Sequence, residues 1–288
     1  MEVCKMRRAV PATPSELLPL QLETIGIQYD QEPVTRPHGY PCYHWLQTLA
    51  GEGELSMNGR TWNMPERSGI LLAPGTPHHY KPRSDSWQTG YITFHGSTAG
   101  NIVQSLGWSI IEHFQWGAGH DPITGQMKSL LAFAESGGDP SGWRYSADLY
   151  RFLTLLRTEA RTDKRPPISK RLDRVQDLLH WLEQEYANPE IGLAEMAAQL
   201  GIGKRQLNER FRDLFGQTAY AYLIQLRLRK AKEWLPSRPD WTVRRIGEAV
   251  GFRDASHFVA TFRQKEGMTP ETYRKLYAAK PGKSRELD

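Results

Sequence analysis

One pattern occurs twice in the last third of the chain, and a duplicated pattern decides an architecture before local propensity does. LAEMAAQLGIGKRQLNERFRDLFGQT runs from Leu193 to Thr218, and VRRIGEAVGFRDASHFVATFRQKEGMT from Val243 to Thr269. Leu200-Gly201 aligns with Val250-Gly251 at an offset of 50, whereas Leu207/Phe258, Phe211/Phe262, Gly216/Gly267 and Thr218/Thr269 need 51. The second copy therefore carries one extra residue just after its central glycine.

Each copy predicts a helix, a tight turn and a second helix. Leu193, Met196, Ala197 and Leu200 fall at i, i+3, i+4 and i+7, one face of a helix. Gly201 follows where a left-handed residue ends a helix most easily. Leu207, Phe211, Leu214 and Phe215 mark the buried stripe of the next helix, and Val243, Ile246, Val250, Gly251, Phe258 and Phe262 repeat the plan. These are the ingredients of a DNA-binding helix-turn-helix. One copy would be a weak signal; two, joined by a helix over Tyr220 to Leu235, are far more specific. In that joining helix Leu223, Leu226, Ala231 and Trp234 are predicted to face inward, and Arg227, Arg229, Lys230 and Lys232 to face water. At ~1.5 Å per residue it spans roughly 24 Å, which suits a rod holding two recognition helices about one DNA turn, ~34 Å, apart.

The LAEMA run at Leu193, the run from Arg227 to Leu235 and IGEAVGFRDASHFVATFRQKEGMTPETYR from Ile246 to Arg274 resemble the DNA-binding domain of the AraC/XylS family of bacterial transcription regulators. Two positions depart from that pattern: Gly203 replaces a helix-capping Ser, and Ala219 stands where Pro is frequent. With Leu207 and Phe211 buried, the outward positions of the first recognition helix are Lys204, Arg205, Asn208, Glu209 and Arg212. Arg suits guanine, Asn adenine and Glu the cytosine amine, and the resemblance implies base contacts by Arg205, Asn208 and Glu209. In the second copy the matching positions are Ala255, Ser256, Val259 and Ala260, which offer thymine-methyl contact but few hydrogen bonds. Arg253 and His257 are expected at phosphates, with an edge-of-core role the other reading of His257. Asp254 is placed to cap the helix.

Charge follows the same division. Residues 171–288 hold 21 Lys/Arg against 16 Asp/Glu, whereas residues 1–170 hold 16 of each. A phosphate-binding module beside a neutral sensor has this distribution; a solvated basic surface has it too, and the repeat favours the former. A chain of 288 residues suggests two domains. No apolar run approaches the ~20 residues of a membrane span, and nothing resembles a signal peptide. The two cysteines, Cys4 and Cys42, can build neither a disulfide framework nor a four-cysteine zinc site, so a reducing cytoplasm is the expected location and no cofactor is expected.

The first half has short segments punctuated by Gly and Pro, as in a β-barrel or sandwich. Asn58-Gly59, between Glu54-Leu55-Ser56-Met57 and Arg60-Thr61-Trp62-Asn63-Met64, is a strong hairpin signal because both turn positions need φ > 0. Ile70 to Ala73 and Gly90 to Phe94 are further predicted strands. LAGEGELSMNGRTW (Leu49 to Trp62), LLAPGTPHHY (Leu71 to Tyr80) and WQTGYITFHG (Trp87 to Gly96) resemble the cupin-type effector domain of the same family. That resemblance implies a jelly roll holding a small molecule, with Tyr80, Thr89 and Tyr91 at positions that contact sugar in a related regulator. That relative also carries an Arg where this chain has Ala50, so Arg36, His38 or His44 is the candidate polar anchor, and a neutral sugar other than arabinose is the expected effector. Pro74-Gly75-Thr76-Pro77-His78 is half of a cupin metal motif, but the strand from Leu46 to Glu54 has no His-x-His, and adjacent His78 and His79 point to opposite faces of a strand. No metal is expected; a hydrogen-bonded barrel-rim role is the reading for His78.

Helices are predicted over Ile123–Glu135 and Ser146–Ala160; the latter carries Leu149, Phe152, Leu153 and Leu156 on one stripe. Part of it should cover the barrel and part, as the resemblance implies, should pair with a second copy. The expected fold is thus α+β in two domains: a cupin-like barrel with a helix pair at 1–160, a linker at 161–170, and an all-α domain with two helix-turn-helix modules at 171–288. The expected function is a non-enzymatic, sequence-specific transcription regulator. Its expected partners are double-stranded DNA, a small-molecule effector, a second copy in a homodimer, and RNA polymerase as a further candidate. Two alternatives stay open: a cupin metalloenzyme fused to a DNA-binding tail, and a regulator governed by a protein partner with its barrel filled by side chains.

Overall fold

The computed structural model describes residues 6–12, 17–108, 110–117, 119–163 and 166–278. The chain divides into two compact units, Met1–Ser169 and Lys170–Asp288. None of the helices among the described residues is long and apolar enough to cross a membrane.

Unit 1 is built on strands β1 (Met6–Ala9), β2 (Gln21–Gln28), β3 (Val34–Arg36), β4 (Tyr43–Met57), β5 (Arg60–Pro65), β6 (Ser68–Leu72), β7 (His78–His95), β8 (Ile111–Gln115) and β9 (Arg161–Thr162). The long strands β4 and β7 run antiparallel from Tyr43↔Phe94 to Ser56↔His79, with register shifts at Thr48/Ala50 and Gly51/Gly53. These shifts bend both strands, so each serves two partners. The first half of β4 pairs with β6 and its second half with β5; the late half of β7 pairs with β2 and its start with β3. At the bend Gly51 has φ +76, and a Cβ there would lie 2.1 Å from the Ser86 carbonyl oxygen. The β4–β5 turn has Asn58 at φ 46 and Gly59 at φ 75, the left-handed pair that a two-residue hairpin demands.

Alternation along β4 separates two cores. Trp45 points to one face, packing edge-on to Phe114 and Phe152 at 5.5 Å. There it joins Ile92, Phe94 and residues of α2 (Pro122–Glu135) and α3 (Trp143–Glu159), including Met127, Leu131, Leu149, Phe152 and Leu156. The short α1 (Ala99–Ser105) closes that side through Ala99 and Val103. Leu46 points to the other face, with Leu55, Trp62, Met64, Ile70, Leu72, Tyr80 and Trp87.

Two expectations change here. Leu149 and Leu156 are both 0% exposed and spent wholly on the barrel, because the 3.6-residue stripe they share with Phe152 and Leu153 is the one facing the sheet. The outward face of α3 instead presents Trp143 and Tyr150. The segment 161–170 is not linker throughout: Arg161–Thr162 pairs with Phe114 and Gln115 as β9, Asp163 accepts a hydrogen bond from Arg60 at 2.8 Å, and the next helix starts at Ile168.

Unit 2 contains α4 (Ile168–Glu185), α5 (Leu193–Gln199), α6 (Lys204–Phe215), α7 (Ala219–Ser237), α8 (Val243–Ala249), α9 (Ala255–Glu266) and α10 (Pro270–Tyr277). α5 and α6 form one helix-turn-helix and α8 and α9 the other. Gly201 (φ +60) and Gly251 (φ +94) occupy the turns. Helix starts are capped by the side chains of Thr218, Thr242, Asp254 and Thr269; Gly203 supplies no such bond to α6. α7 serves both modules. Its Leu223 and Leu226 lie in a core with Val175, Leu178, Met196, Leu207 and Phe211, while Ile224, Leu228, Ala231 and Leu235 lie in a core with Ile246, Val250, Phe258 and Phe262. Arg227, expected in water, is buried between them at 3% exposure. Its Nε donates to the Tyr186 carbonyl oxygen at 2.9 Å and its Nη2 to that of Asn188 at 2.8 Å. A buried guanidinium is tolerable there because it satisfies the carbonyls that follow the end of α4, where positive charge is favoured.

Candidate nucleic-acid interface and effector chamber

α6 projects Lys204, Arg205, Glu209 and Arg212 into solvent. Arg205 is 94% exposed, and its Nε donates to Glu209 Oε1 at 2.9 Å, one turn along the helix. This pair links two long side chains on the outward face of α6. Asn208 is placed differently from the expectation of a base contact. It is half-buried, and its Oδ1 accepts the backbone N–H of Ala219 at 3.1 Å. The first turn of α7 has unpaired N–H groups, and Asn208 satisfies one of them.

On α9, Ser256, His257 and Ala260 are exposed, while Ala255 and Val259 are half-buried, the latter against the second core. The His257 ring stands edge-on to Phe252 at 5.6 Å. Arg253, expected at a phosphate, is engaged within the protein: its Nη2 meets Glu190 at 2.7 Å and its Nε donates to the Pro189 carbonyl oxygen at 3.0 Å. That carboxylate lies 63 residues upstream, so no local pattern could have revealed it. A basic feature that sequence reasoning missed lies at the start of α8. The guanidinium groups of Arg238 and Arg245 lie 4.5 and 4.1 Å from the ring centre of Trp241. The spacing i, i+3, i+7 of Arg-Trp-Arg was its signal.

The inner face of the unit 1 sheet carries a buried polar cluster, which is the candidate effector chamber. Register places Arg36 opposite His78, Leu55 opposite Tyr80, Leu46 opposite Tyr91 and His44 opposite Thr93. The His44 and His78 rings are 5.5 Å apart, His78 stacks on Tyr80 at 5.9 Å, and His44 lies 5.7 Å from Tyr40. The Arg36 guanidinium lies 4.7 Å over the Tyr40 ring. Three buried polar atoms in this cluster have no partner: His44 Nδ1, His78 Nε2 and Arg36 Nε. His78 Nδ1 sits 2.7 Å from the Thr76 carbonyl oxygen. A carbonyl only accepts, so Nδ1 carries the proton and Nε2 presents a lone pair. Burial, then the charges of His78 and Arg36, lower the His44 pKa to about 3; burial lowers that of His78 as well. Both rings are neutral near neutral pH.

Glu23 lies on the adjoining wall, accepting from the Tyr40 hydroxyl at 2.8 Å and from the Thr93 hydroxyl. Burial and Glu23 push the Tyr40 phenol up to about 12. Tyr91 is half-buried, and its hydroxyl lies so near Gly26 that a Cβ there would be 2.5 Å from it. Tyr80 is deep, edge-on to Trp87 at 6.1 Å. Of the six candidate effector residues, Tyr80, Arg36 and His44 therefore converge, and Tyr91 shares their face of the sheet while its hydroxyl lies toward Gly26. Thr89 is buried with its hydroxyl donating to Gln31 at 2.8 Å, and His38 is exposed. His78 joins the cluster because alternate residues of His78-His79-Tyr80 share a strand face; His79 turns outward to Thr35 at 2.8 Å. Glu23 and Tyr40 come from distant segments without a motif. Among the described residues no three His, Cys, Asp or Glu side chains gather as a metal site would need.

Comparison with known proteins bears on both units. A family model described as an AraC-like ligand binding domain matches residues 22–153, and one described as a helix-turn-helix domain matches residues 196–276. The MmsAB operon regulatory protein of Pseudomonas aeruginosa is 26% identical over 239 residues, which cover 80% of this chain and 68% of that protein. The arabinose operon regulatory protein of Escherichia coli is 23% identical over 248 residues, covering 84% of this chain and 83% of that protein. The HTH-type transcriptional activator RhaS of Klebsiella pneumoniae is 33% identical over 153 residues, covering 52% and 53% respectively.

Proposed function

We propose that this chain, which belongs to the AraC family of DNA-binding transcription regulators, senses a small hydroxylated molecule, a sugar or sugar derivative, in the chamber of unit 1 and reads an operator with α6 and α9. The observation that carries the effector reading is the set of unpartnered atoms on His44, His78 and Arg36. Buried polar groups are normally hydrogen-bonded, and an unmet one costs ~1–3 kcal/mol. Three of them gather beside the Tyr40 and Tyr80 rings. Aromatic faces beside donors and acceptors are what a sugar requires. Arg36 reaches this cluster from β3, supplying the cationic anchor that Ala50 cannot.

On the DNA side, α6 bears the polar readers Arg205 and Glu209, whereas α9 offers Ser256 and Ala260 and so reads fewer bases by hydrogen bonds. On this reading Arg212, Arg238 and Arg245 meet phosphates. The protein acts as a homodimer, with the exposed Trp143–Tyr150 face of α3 as the interface, and RNA polymerase is its further partner. Calorimetric titration with pentoses, hexoses and short oligosaccharides, repeated on Tyr91→Ala, tests the effector reading. Equal affinity of parent and variant for a bound sugar would place the effector elsewhere.

A further inference from the structure

We propose that the effector is a polyhydroxy carboxylate, a sugar acid, whose carboxylate is held by Arg36 and whose hydroxyls are read by His78 and His44. This rests on the reading that the chamber of unit 1 holds the effector.

The argument is one of charge and of donor count. The guanidinium is cationic at every working pH. Arg36 is half-buried, its Nε has no partner, and among the described residues no carboxylate pairs with it. The groups around it are uncharged: Tyr40 beneath it, His44, His78, and Tyr80, whose phenol burial pushes up and whose hydroxyl shares a hydrogen bond with the guanidinium, leaving Nε unmet. Glu23, on the adjoining wall, already accepts from two hydroxyls. A cation withdrawn from water without a counter-charge is expensive, and a planar guanidinium recognises a carboxylate through two parallel hydrogen bonds. The unpartnered Nε is one of the donors such a fork uses.

The imidazoles ask for something else. The bare Nε2 of His78 needs a donor, and a ligand hydroxyl is one. The unmet Nδ1 of His44, 3% exposed, points to the same need for a polar ligand group. Tyr80, stacked on His78, offers a ring face to the apolar side of the ligand. A neutral sugar would satisfy the imidazoles and leave the guanidinium without a counter-charge; an unsubstituted carboxylic acid would do the reverse. A carboxylate and hydroxyls on one small skeleton satisfy all three.

The test is calorimetric titration of the full chain with D-galacturonate, D-glucuronate and D-gluconate, against D-galactose and D-glucose in the same buffer. At least one acid is expected to bind tenfold or more tighter than its neutral counterpart. Arg36→Gln is expected to abolish that preference, and His78→Leu to weaken acids and neutral sugars alike. Without ligand, Arg36→Gln is expected to melt no lower than the parent; a lower melting temperature would mark Arg36 as part of the fold and overturn the proposal. Neutral sugars binding as tightly as the acids, or an acid preference that survives in Arg36→Gln, would overturn it while leaving the effector chamber intact. Failure of all five compounds to bind would also overturn it, and the chamber itself is then judged separately by the oligosaccharide titration of the parent and Tyr91→Ala proteins.

Discussion

The two helix-turn-helix turns provide a controlled comparison, because their central glycines have different neighbours. Gly201 has φ +60, and a Cβ added to it would meet nothing within 4 Å. Gly201→Ala should therefore cost only the left-handed strain, roughly 1–2 kcal/mol. Gly251 has φ +94, and an added Cβ would lie 2.4 Å from the Tyr186 carbonyl oxygen and 2.8 Å from Arg227 Nε. That methyl would wedge into the bond between those two atoms. The strain at this φ is about 1–3 kcal/mol, and displacing a hydrogen bond to a charged group adds about 1.5–3 kcal/mol. With similar strain at the two turns, Gly251→Ala should thus exceed Gly201→Ala by about 1.5–3 kcal/mol. Urea unfolding followed by tryptophan fluorescence, which reports on Trp181, Trp234 and Trp241 in unit 2, measures the difference. DNA affinity should fall with it, since Arg227 lies between the two cores. Equal costs for the two substitutions would refute the idea that Gly251 is required by its contact with Arg227 rather than by turn geometry alone.

Lowering the pH should destabilise unit 1. The His44 pKa is about 3 in the fold against 6.5 unfolded, so its contribution is complete above 6.5 and is lost as pH falls toward 3. Between pH 7 and 5 this amounts to about 2 kcal/mol, and His44→Gln should flatten the dependence measured by thermal unfolding; His78 and His113, also lowered by burial, act in the same direction. Arg205→Ala should relax preference at one operator base pair by ~1–3 kcal/mol, whereas Asn208→Ala should lower unit 2 stability by ~1 kcal/mol with unchanged sequence preference; fluorescence anisotropy on single-base operator variants separates the two. Tyr150→Glu should yield monomers in sedimentation with weaker operator binding and an unchanged fold, while Leu149→Glu should unfold unit 1. A dimeric Tyr150→Glu protein would place the interface elsewhere.

What was legible in the sequence was local. The duplicated glycine turns, the Asn58-Gly59 hairpin and the apolar stripes of α3 and α7 are set by residues within a few positions of each other. What was not legible depends on distant segments. Arg227 sits in a basic run that looks solvated, and only the carbonyls of Tyr186 and Asn188, some forty residues upstream, make its burial favourable. Arg253 reads as a free cation in its own segment, and its partner Glu190 lies 63 residues upstream. The stripe of Leu149 and Leu156 announced burial but not against which surface. In the polar cluster of unit 1, Tyr80 and Tyr91 are marked by resemblance, whereas Glu23, Tyr40 and the placing of Arg36 near the two imidazoles depend on a sheet register that no short window encodes.

α7 divides its inward residues between two cores that overlap along it, Leu223 and Leu226 in one and Ile224 and Leu228 in the other. Its length is therefore a measuring standard that cannot be altered in small steps. One inserted residue would advance the second module by ~1.5 Å and turn it ~100° about the helix axis, swinging α9 out of its setting relative to α6 and emptying the second core. On the proposed reading of the operator by α6 and α9, new specificities in such a chain come from changing the side chains those helices display, because the interval between them is locked by the packing that keeps them folded.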